Sequence, residues 1–227
     1  MVMQATSNIV KLRHLVAHRF PHLRQGAFVP PPTETLATGL ASLDALLGGG
    51  LPRGEFTELV GAGHGSGSAQ VIHALLRQTA ANRQFLALVD GTDSFDVSAV
   101  EPGVLTRLLW VRCAATDEAL KAFDLLLRDR NFPLVVLDLR LNPGAQLRKI
   151  SVSTWYRLAR LLEQNRAAAL VVTPFQLVSG AACRARIESK LSIEALNGSS
   201  AELLSRLQFS LLRSSGALPV EQVSVVG

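Results

Sequence analysis

The stretch FTELVGAGHGSGSAQVIHALL, Phe56 to Leu76, decides the fold. It opens on a short apolar run (56–60) and passes through four glycines in seven positions. It then enters an amphipathic segment whose spacing predicts a helix from about Ala69 to Ala81. A strand running through a glycine-rich loop into a helix gathers backbone N–H groups and the positive end of a helix around a phosphate. A working loop of this kind, GxxxxGK[ST], also needs a lysine for the outer phosphates and a hydroxyl for Mg²⁺. Aligned without gaps, Gly61 is the first glycine, Ser66 stands at the second, Gly67 at the lysine and Ser68 at the hydroxyl. With one inserted residue, Gly67 is the second glycine, Ser68 replaces the lysine and Ala69 the hydroxyl. Neither alignment supplies the lysine, so Gly61, Gly63, Gly65, Gly67 and Ser68 read as a degenerate phosphate loop. Without the positioned cation, phosphoryl transfer loses the charge stabilisation on which it depends. No cofactor and no metal is therefore expected, although weak ATP or Mg²⁺ binding by the backbone stays compatible with the loop, as does a plain turn.

Outward from the loop the chain alternates. Apolar runs at QFLALVD (84–90), LLWVR (108–112), PLVVLDL (133–139) and AALVVTPF (168–175) read as strands. DEALKAFDLLLRDR (117–130) and STWYRLARLLEQNR (153–166) read as helices between them. Strands apolar on both faces and separated by helices predict an α/β domain with a mostly parallel sheet covered on both sides. LSRLQFSLLRS and LPVEQVSVV are expected to add final, antiparallel strands. Trp110 is expected in the core, and Trp155 and Tyr156 either in the core or facing a partner.

Nearly half the 227 residues are apolar and 18% are charged, enough for a sizeable core. No uninterrupted apolar run approaches the ~20 residues that span a bilayer, and the first residues lack the order of a secretory signal, which predicts a cytoplasmic protein. Cys113 and Cys183 are isolated and read as buried thiols rather than metal ligands or a disulfide. The formal charge of +5 is unevenly placed: Lys11, Arg13, Arg19 and Arg24 precede Glu34 without an acidic residue, and the rest is nearly balanced. Ile9, Leu12, Val16 and Phe20 have helical spacing, Pro21 ends that segment, and QGAFVPPPTETLA reads as an extended linker. Residues 1–36 are thus expected as a basic helix and Pro-rich linker, and 37–227 as the core. His14, His18 and His22 are four apart, but Pro21 interrupts them and no carboxylate or cysteine accompanies them, so they are not read as a metal site.

The run TGLASLDALLGGGLPRGEFTELVG, Thr38 to Gly61, resembles the entry to the RecA/RadA/KaiC-type ATPase core, where TG-x-x-x-LD-x-L-x-GGG-L-P-x-G precedes the strand and phosphate loop. The resemblance extends over about residues 37 to 215. It implies a RecA-like fold with a short N-terminal helix and linker, and it places Asp138 of PLVVLD in the Mg²⁺-organising Walker B position. It also implies a catalytic glutamate in LVDGTDSFD, where this chain has Thr92 with Asp93 beside it. A threonine is no general base at neutral pH, although a shift of one residue restores a carboxylate. With lysine and base both lacking, the chain resembles a pseudo-ATPase. KLRHLVAHRFP (11–21), the Pro-rich linker and the degenerate loop together resemble the ImuA branch of RecA-like accessory proteins. That resemblance implies a non-catalytic role in SOS-induced translesion synthesis. Its implied partners are RecA, an ImuB-like Y-family protein and an error-prone replicative-type polymerase subunit. Arg13, Arg19, Phe20 and Phe28 become docking candidates, Phe28 as an apolar plug.

In RecA-type cores the loops after the Walker B strand and after the next strand approach single-stranded DNA. Their counterparts are LRLNPGAQLRKISV, with Arg140, Arg148 and Lys149, and LVSGAACRARIESK, with Arg184, Arg186 and Lys190. Each is read as a flexible cationic stretch suited to phosphate backbones, but neither has an aromatic platform, so DNA binding is expected to be weak. Two other functions fit the same resemblance: a nucleotide-binding ATPase or switch in which another cation reaches the phosphates, and a SulA-like inhibitor of cell division.

Overall fold

The computed structural model describes residues 34–61, 65–189 and 200–214. Residues 1–33 of the expected N-terminal helix and linker, the three spaced histidines among them, and the run 218–226 lie outside these residues. Nine strands and seven α-helices are described, numbered here in chain order.

Seven strands form one sheet in the order β5-β4-β6-β7-β3-β8-β9: β3 (Phe56–Gly61), β4 (Leu86–Asp90), β5 (Leu108–Arg112), β6 (Leu134–Asp138), β7 (Ala168–Thr173), β8 (Cys183–Ile187) and β9 (Phe209–Ser214). All neighbours pair in parallel except β8 and β9, which are antiparallel with an irregularity at Arg184/Ala185. The expected α/β class and largely parallel sheet are met.

The continuous apolar runs are explained by the period-two alternation of strand side chains between two separate cores. Leu86, Leu88, Leu134, Val136, Leu170 and Val172 face α2 (Ser68–Ala81), where Val71, Ile72, Leu75 and Leu76 meet them. Ala87, Val89, Val135, Leu137, Ala169 and Val171 face α4 (Thr116–Asp129) and α6 (Val152–Asn165) on the other side. There Phe56 stacks on Phe123 at 6.2 Å and meets Trp155 edge-on at 6.0 Å, so Trp155 belongs to the core while Tyr156 beside it is exposed. Three aromatic side chains, each burying roughly 150–250 Å², anchor that layer.

The entry run folds as its spacing requires. Thr38 is fully buried, and its amide and hydroxyl both donate to Asp44 Oδ1 at 2.8 Å, which fixes the start of α1 (Ala41–Leu46). Gly50 adopts φ +128°, and a Cβ there would stand 2.4 Å from the Leu36 carbonyl oxygen, so only glycine lets the chain turn back. That turn pairs β2 (Leu51–Pro52) with β1 (Thr35–Leu36), which draws two residues assigned above to the linker into the folded core.

Three expectations are corrected. LLWVR is the sheet's edge strand rather than a core strand, because only β4 pairs with it, and Trp110 is half-buried. LSRLQFSLLRS is not strand throughout: α7 (Ser200–Ser205) enters it, and the strand begins at Phe209. CRARI, assigned above to a flexible loop, is the inner strand β8. Alternate burial of Cys183, Ala185 and Ile187 gives it the half-buried strand pattern that two arginines conceal.

Candidate functional site

Because the strands are parallel, their C-terminal ends lie along one edge of the sheet. The registers place Arg112, Asp90, Asp138, Val172 and Leu59 in one row, and β3 continues for Val60 and Gly61 before the glycine loop. Gly61, Gly65, Gly67 and Ser68 are described; Gly63 lies outside the described residues. Gly67 precedes the first turn of α2 in the left-handed region, φ +88° and ψ +7°. A side chain at that φ is strained, so in the ungapped alignment the missing lysine is a property of the backbone as well as of the residue. Ser68, the hydroxyl position in the ungapped alignment and the lysine position in the gapped one, is buried and begins the helix.

Its partner comes from the other side of the crevice. The Arg140 guanidinium donates through Nη1 to Ser68 Oγ, across 72 residues of sequence. Arg140 was read above as a DNA contact; here it reaches the glycine-loop helix instead. Its Nε is buried with no hydrogen-bond partner among the described residues, so the side chain runs inward. Asp138 closes β6 with 6% of its surface exposed and accepts the Arg140 amide at 3.0 Å. Burial pushes its carboxyl up from the usual range; the Arg140 charge and amide pull it down, and Asp90 adds to the rise.

Asp90 ends the neighbouring strand and is fully committed to its own loop. It accepts the amides of Ser94 and Phe95 at 2.8 Å each, that of Thr92 at 3.3 Å, and the indole N–H of Trp110 at 3.3 Å. This folds LVDGTDSFD tightly and sends Asp93, at φ +55°, to an ion pair with Arg112 on β5. β5 lies two strand spacings, roughly 10 Å, beyond β6. Asp93 is thus held at the sheet edge, where the one-residue shift that would make it a base gains nothing. Asn142 ties the loops after β4 and β6 together: its Nδ2 donates to the Gly91 carbonyl and to Thr116 Oγ1, both at 3.0 Å.

The proposed DNA-contacting cations divide. Arg184 donates through Nε to Glu58, a completely buried acid of β3, and through Nη2 to the Val178 carbonyl at 2.8 Å. Glu58 also accepts Thr173 Oγ1 at 3.0 Å and the amides of Leu177 and Val178 at 2.6 and 3.1 Å. The connection 174–182 is therefore pinned to the sheet, and Arg184 is withdrawn from any phosphate. Arg148 lies over the Phe175 ring at 4.8 Å, and Arg148, Lys149 and Arg186 are exposed. Lys190, like Arg13, Arg19, Phe20 and Phe28, lies outside the described residues. The Glu58–Arg184 lock was missed because a glutamate in an apolar strand was not treated as a buried charge that must find a partner.

Among the described residues no cluster of three or more His, Cys, Asp or Glu side chains is placed to hold a metal, and no helix is long and apolar enough to cross a membrane. Cys113 and Cys183 are buried free thiols, their pKa raised by burial. A groove of about 510 Å³ lies between α4 and α6, on the face opposite α2, lined by Leu120, Leu125, Asp117, Lys121 and Arg157 among others.

The magnesium nucleotide implied by the resemblance does not fit the residues present, because neither alignment brings a lysine to the loop: the ungapped one puts the left-handed Gly67 there and the gapped one Ser68, whose hydroxyl accepts a guanidinium.

No protein-family model matches the chain. Over 119 residues, 51% of its length, it is 35% identical to Protein RecA of Kineococcus radiotolerans, of which the match covers 34%. It is likewise 35% identical over 118 residues to Protein RecA of Prochlorococcus marinus (strain MIT 9515), covering 50% of this chain and 32% of that protein. The chain thus spans about a third of the length of these curated relatives. Among solved structures, it resembles the crystal structure of the RadB recombinase with a TM-score of 0.55 over 67% of this chain and 83% of that one. At 20% identity that likeness concerns the fold alone.

Proposed function

We propose that this chain works as a non-catalytic RecA-like protein, an ImuA-like accessory of error-prone translesion DNA synthesis that acts through protein contacts. One observation carries the reading: neither alignment of the loop supplies the lysine, Thr92 stands at the base position, and the polar groups beside them are committed to internal partners. Ser68 accepts Arg140, and Asp93 pairs with Arg112. A phosphoryl-transfer site depends on charges preorganised toward the phosphates, and here they are turned toward each other. The sequence relationship to RecA supports a place in recombination and repair, and the resemblance of the N-terminal segment and linker to ImuA supports the finer assignment. RecA, an ImuB-like Y-family protein and an error-prone polymerase subunit are the proposed partners. DNA is at most a weak ligand, with Arg148, Lys149 and Arg186 the exposed cations for it.

ATP turnover by the purified full chain, with and without single-stranded DNA, tests the catalytic half; no turnover above the buffer rate is expected, and DNA-stimulated hydrolysis would overturn it. Binding to purified RecA, to the Y-family protein and to the tubulin-like division GTPase tests the other half. Association with the GTPase alone would replace this reading with the SulA-like one.

A further inference from the structure

We infer that the groove between α4 and α6 is a docking site for a partner protein, and that its occupant is a short amphipathic helix with leucine-like side chains on one face and carboxylates beside them. The inference takes from the reading above only that the protein acts through protein contacts.

Three observations carry it. First, the groove has a volume of about 510 Å³ and is lined along α4 from Asp117 to Leu125. That stretch of helix measures about 12 Å, or two turns, so the space suits one anchor side chain and a second four residues on. Second, its apolar lining departs from the pattern of α4. The buried residues of that helix are Thr116, Ala119, Phe123 and Leu127. Leu125 lies off this stripe and is 68% exposed, more than any other large apolar side chain among the described residues. A lone exposed leucine is ordinary. This one shares a groove with the half-buried Leu120, and Lys121 and Arg157, whose stems are aliphatic, complete the wall. Third, the charge there is in positive surplus. Asp124 holds two guanidiniums, Arg128 through Nε at 2.7 Å and Arg157 through Nη1 at 2.8 Å. One carboxylate thus answers two cations, and Lys121 adds a third with no hydrogen-bond or ion-pair partner among the described residues. Asp117, the other acid of the lining, sits in the first turn of α4, where the helix N-terminus already favours its charge. Lys121 and Arg157 are exposed, so both can meet carboxylates of a partner, and an acidic segment complements the surplus.

Fluorescence anisotropy of a labelled, helix-forming peptide of about 15 residues, titrated with the full chain, tests this. The peptide carries leucines four apart with glutamates flanking them, and a twin carries lysine at every glutamate. The glutamate peptide is expected to bind saturably, and the lysine twin at least about tenfold more weakly. Leu125→Ser and Lys121→Glu should each raise Kd about tenfold. Arg83→Glu, at an exposed cation just beyond α2, should leave Kd within about twofold. Leu125 and Lys121 are both exposed, so these variants should melt with wild type and any loss of binding is not a loss of fold. Failure of the glutamate peptide to bind saturably, equal binding of the two peptides, or a loss in Arg83→Glu as large as that in Lys121→Glu would overturn the inference. Self-association of the protein that Leu125→Ser abolishes would give the groove to a second copy and overturn it as well. Binding to purified RecA and to the Y-family protein separates the two levels. Association with either, while the glutamate peptide fails to bind, defeats the groove alone; peptide binding at the groove with neither protein associating defeats the partners proposed above and leaves the groove standing.

Discussion

Glu58 and Asp138 are both buried acids of the central sheet with an arginine close by, and they meet those arginines differently. Glu58 lies on the α4–α6 face and accepts from Thr173, Leu177, Val178 and Arg184, while Arg184 turns its remaining donors to Val178 and Gln176. Every charge there is answered. Asp138 lies on the α2 face and takes only the Arg140 amide as a direct partner among the described residues; the guanidinium goes past it to Ser68 and leaves its own Nε unmatched. A structural lock satisfies its members, because an unpaired buried charge costs several kcal/mol. A corner at the C-terminal tips of parallel strands, where doubly wound folds place ligands, carries groups whose geometry was not set by each other. The contrast separates residues that hold the fold from residues that line the sheet edge where a ligand would be placed.

Glu58→Ala should have the largest effect, about 3–5 kcal/mol of unfolding free energy, because it strands Arg184 and two loop amides in the interior. Urea denaturation measures it. The double variant Glu58→Met with Arg184→Met should regain most of the loss, as apolar replacements of buried pairs do. A loss below about 1 kcal/mol for the single variant would break the comparison at its stronger end.

Gly91→Ala comes next. A Cβ there would stand 2.2 Å from Asn142 Oδ1 and 2.8 Å from the Asp138 carbonyl oxygen, so the loops after β4 and β6 must part. About 1–3 kcal/mol should be lost, with part recovered by Asn142→Ala, which removes the clashing amide. The result would show that the Asp138 corner is held by close packing and neutral hydrogen bonds more than by its charges.

Asp138→Asn sharpens the electrostatic side of the contrast. Burial raises the folded pKa of Asp138 above its unfolded value, so the native state holds the proton more tightly and stability from this group falls as pH rises through that window. The penalty is absent below the unfolded pKa of about 3.9 and complete above the folded one. The variant keeps the acceptor for the Arg140 amide and cannot ionise. It should therefore gain on wild type by about 2 °C as pH rises from below about 4 to 8, read as the difference between the two melting curves. A constant difference would place Asp138 with the fully compensated acids.

The sheet was legible because its runs are long and apolar and the helices between them are amphipathic; period-two burial on two faces reads as unbroken hydrophobicity. The place of the glycine loop between β3 and α2 was legible as well, since clustered glycines between an apolar run and an amphipathic one mark a turn. What escaped were charges that act across the sheet. Arg184 sits among exposed-looking arginines and reads as loop, yet its partner Glu58 is 126 residues away in sequence. Arg140 was picked out as a cation, but the choice between DNA and Ser68 depends on which way its side chain runs, and spacing does not encode that direction. Trp110 was misplaced because an edge strand of parallel type has the same apolar composition as a central one.

The smallest effect is expected at Asp93 and Arg112, and it bears most directly on function. Their ion pair is exposed on both sides, at 40% and 60%, so solvent screens it and competes for both groups. The Arg112 guanidinium holds the Asp93 carboxyl below the usual range, which shows only that the two are close. Arg112→Ala should leave the melting temperature indistinguishable from wild type, and salt should not alter that outcome. The same variant frees the single carboxylate that a one-residue shift would make a catalytic base. If the site lacked only a liberated base, ATP turnover would now appear. None is expected, because Asp93 stays tied to the β4–β5 edge by its own backbone, Asp90 remains bound to the loop amides, and Gly67 still offers no cation. Turnover in Arg112→Ala would mean that the crevice is an ATPase restrained by one ion pair, and the contrast between the Glu58 lock and the Asp138 corner would have to be redrawn around that pair.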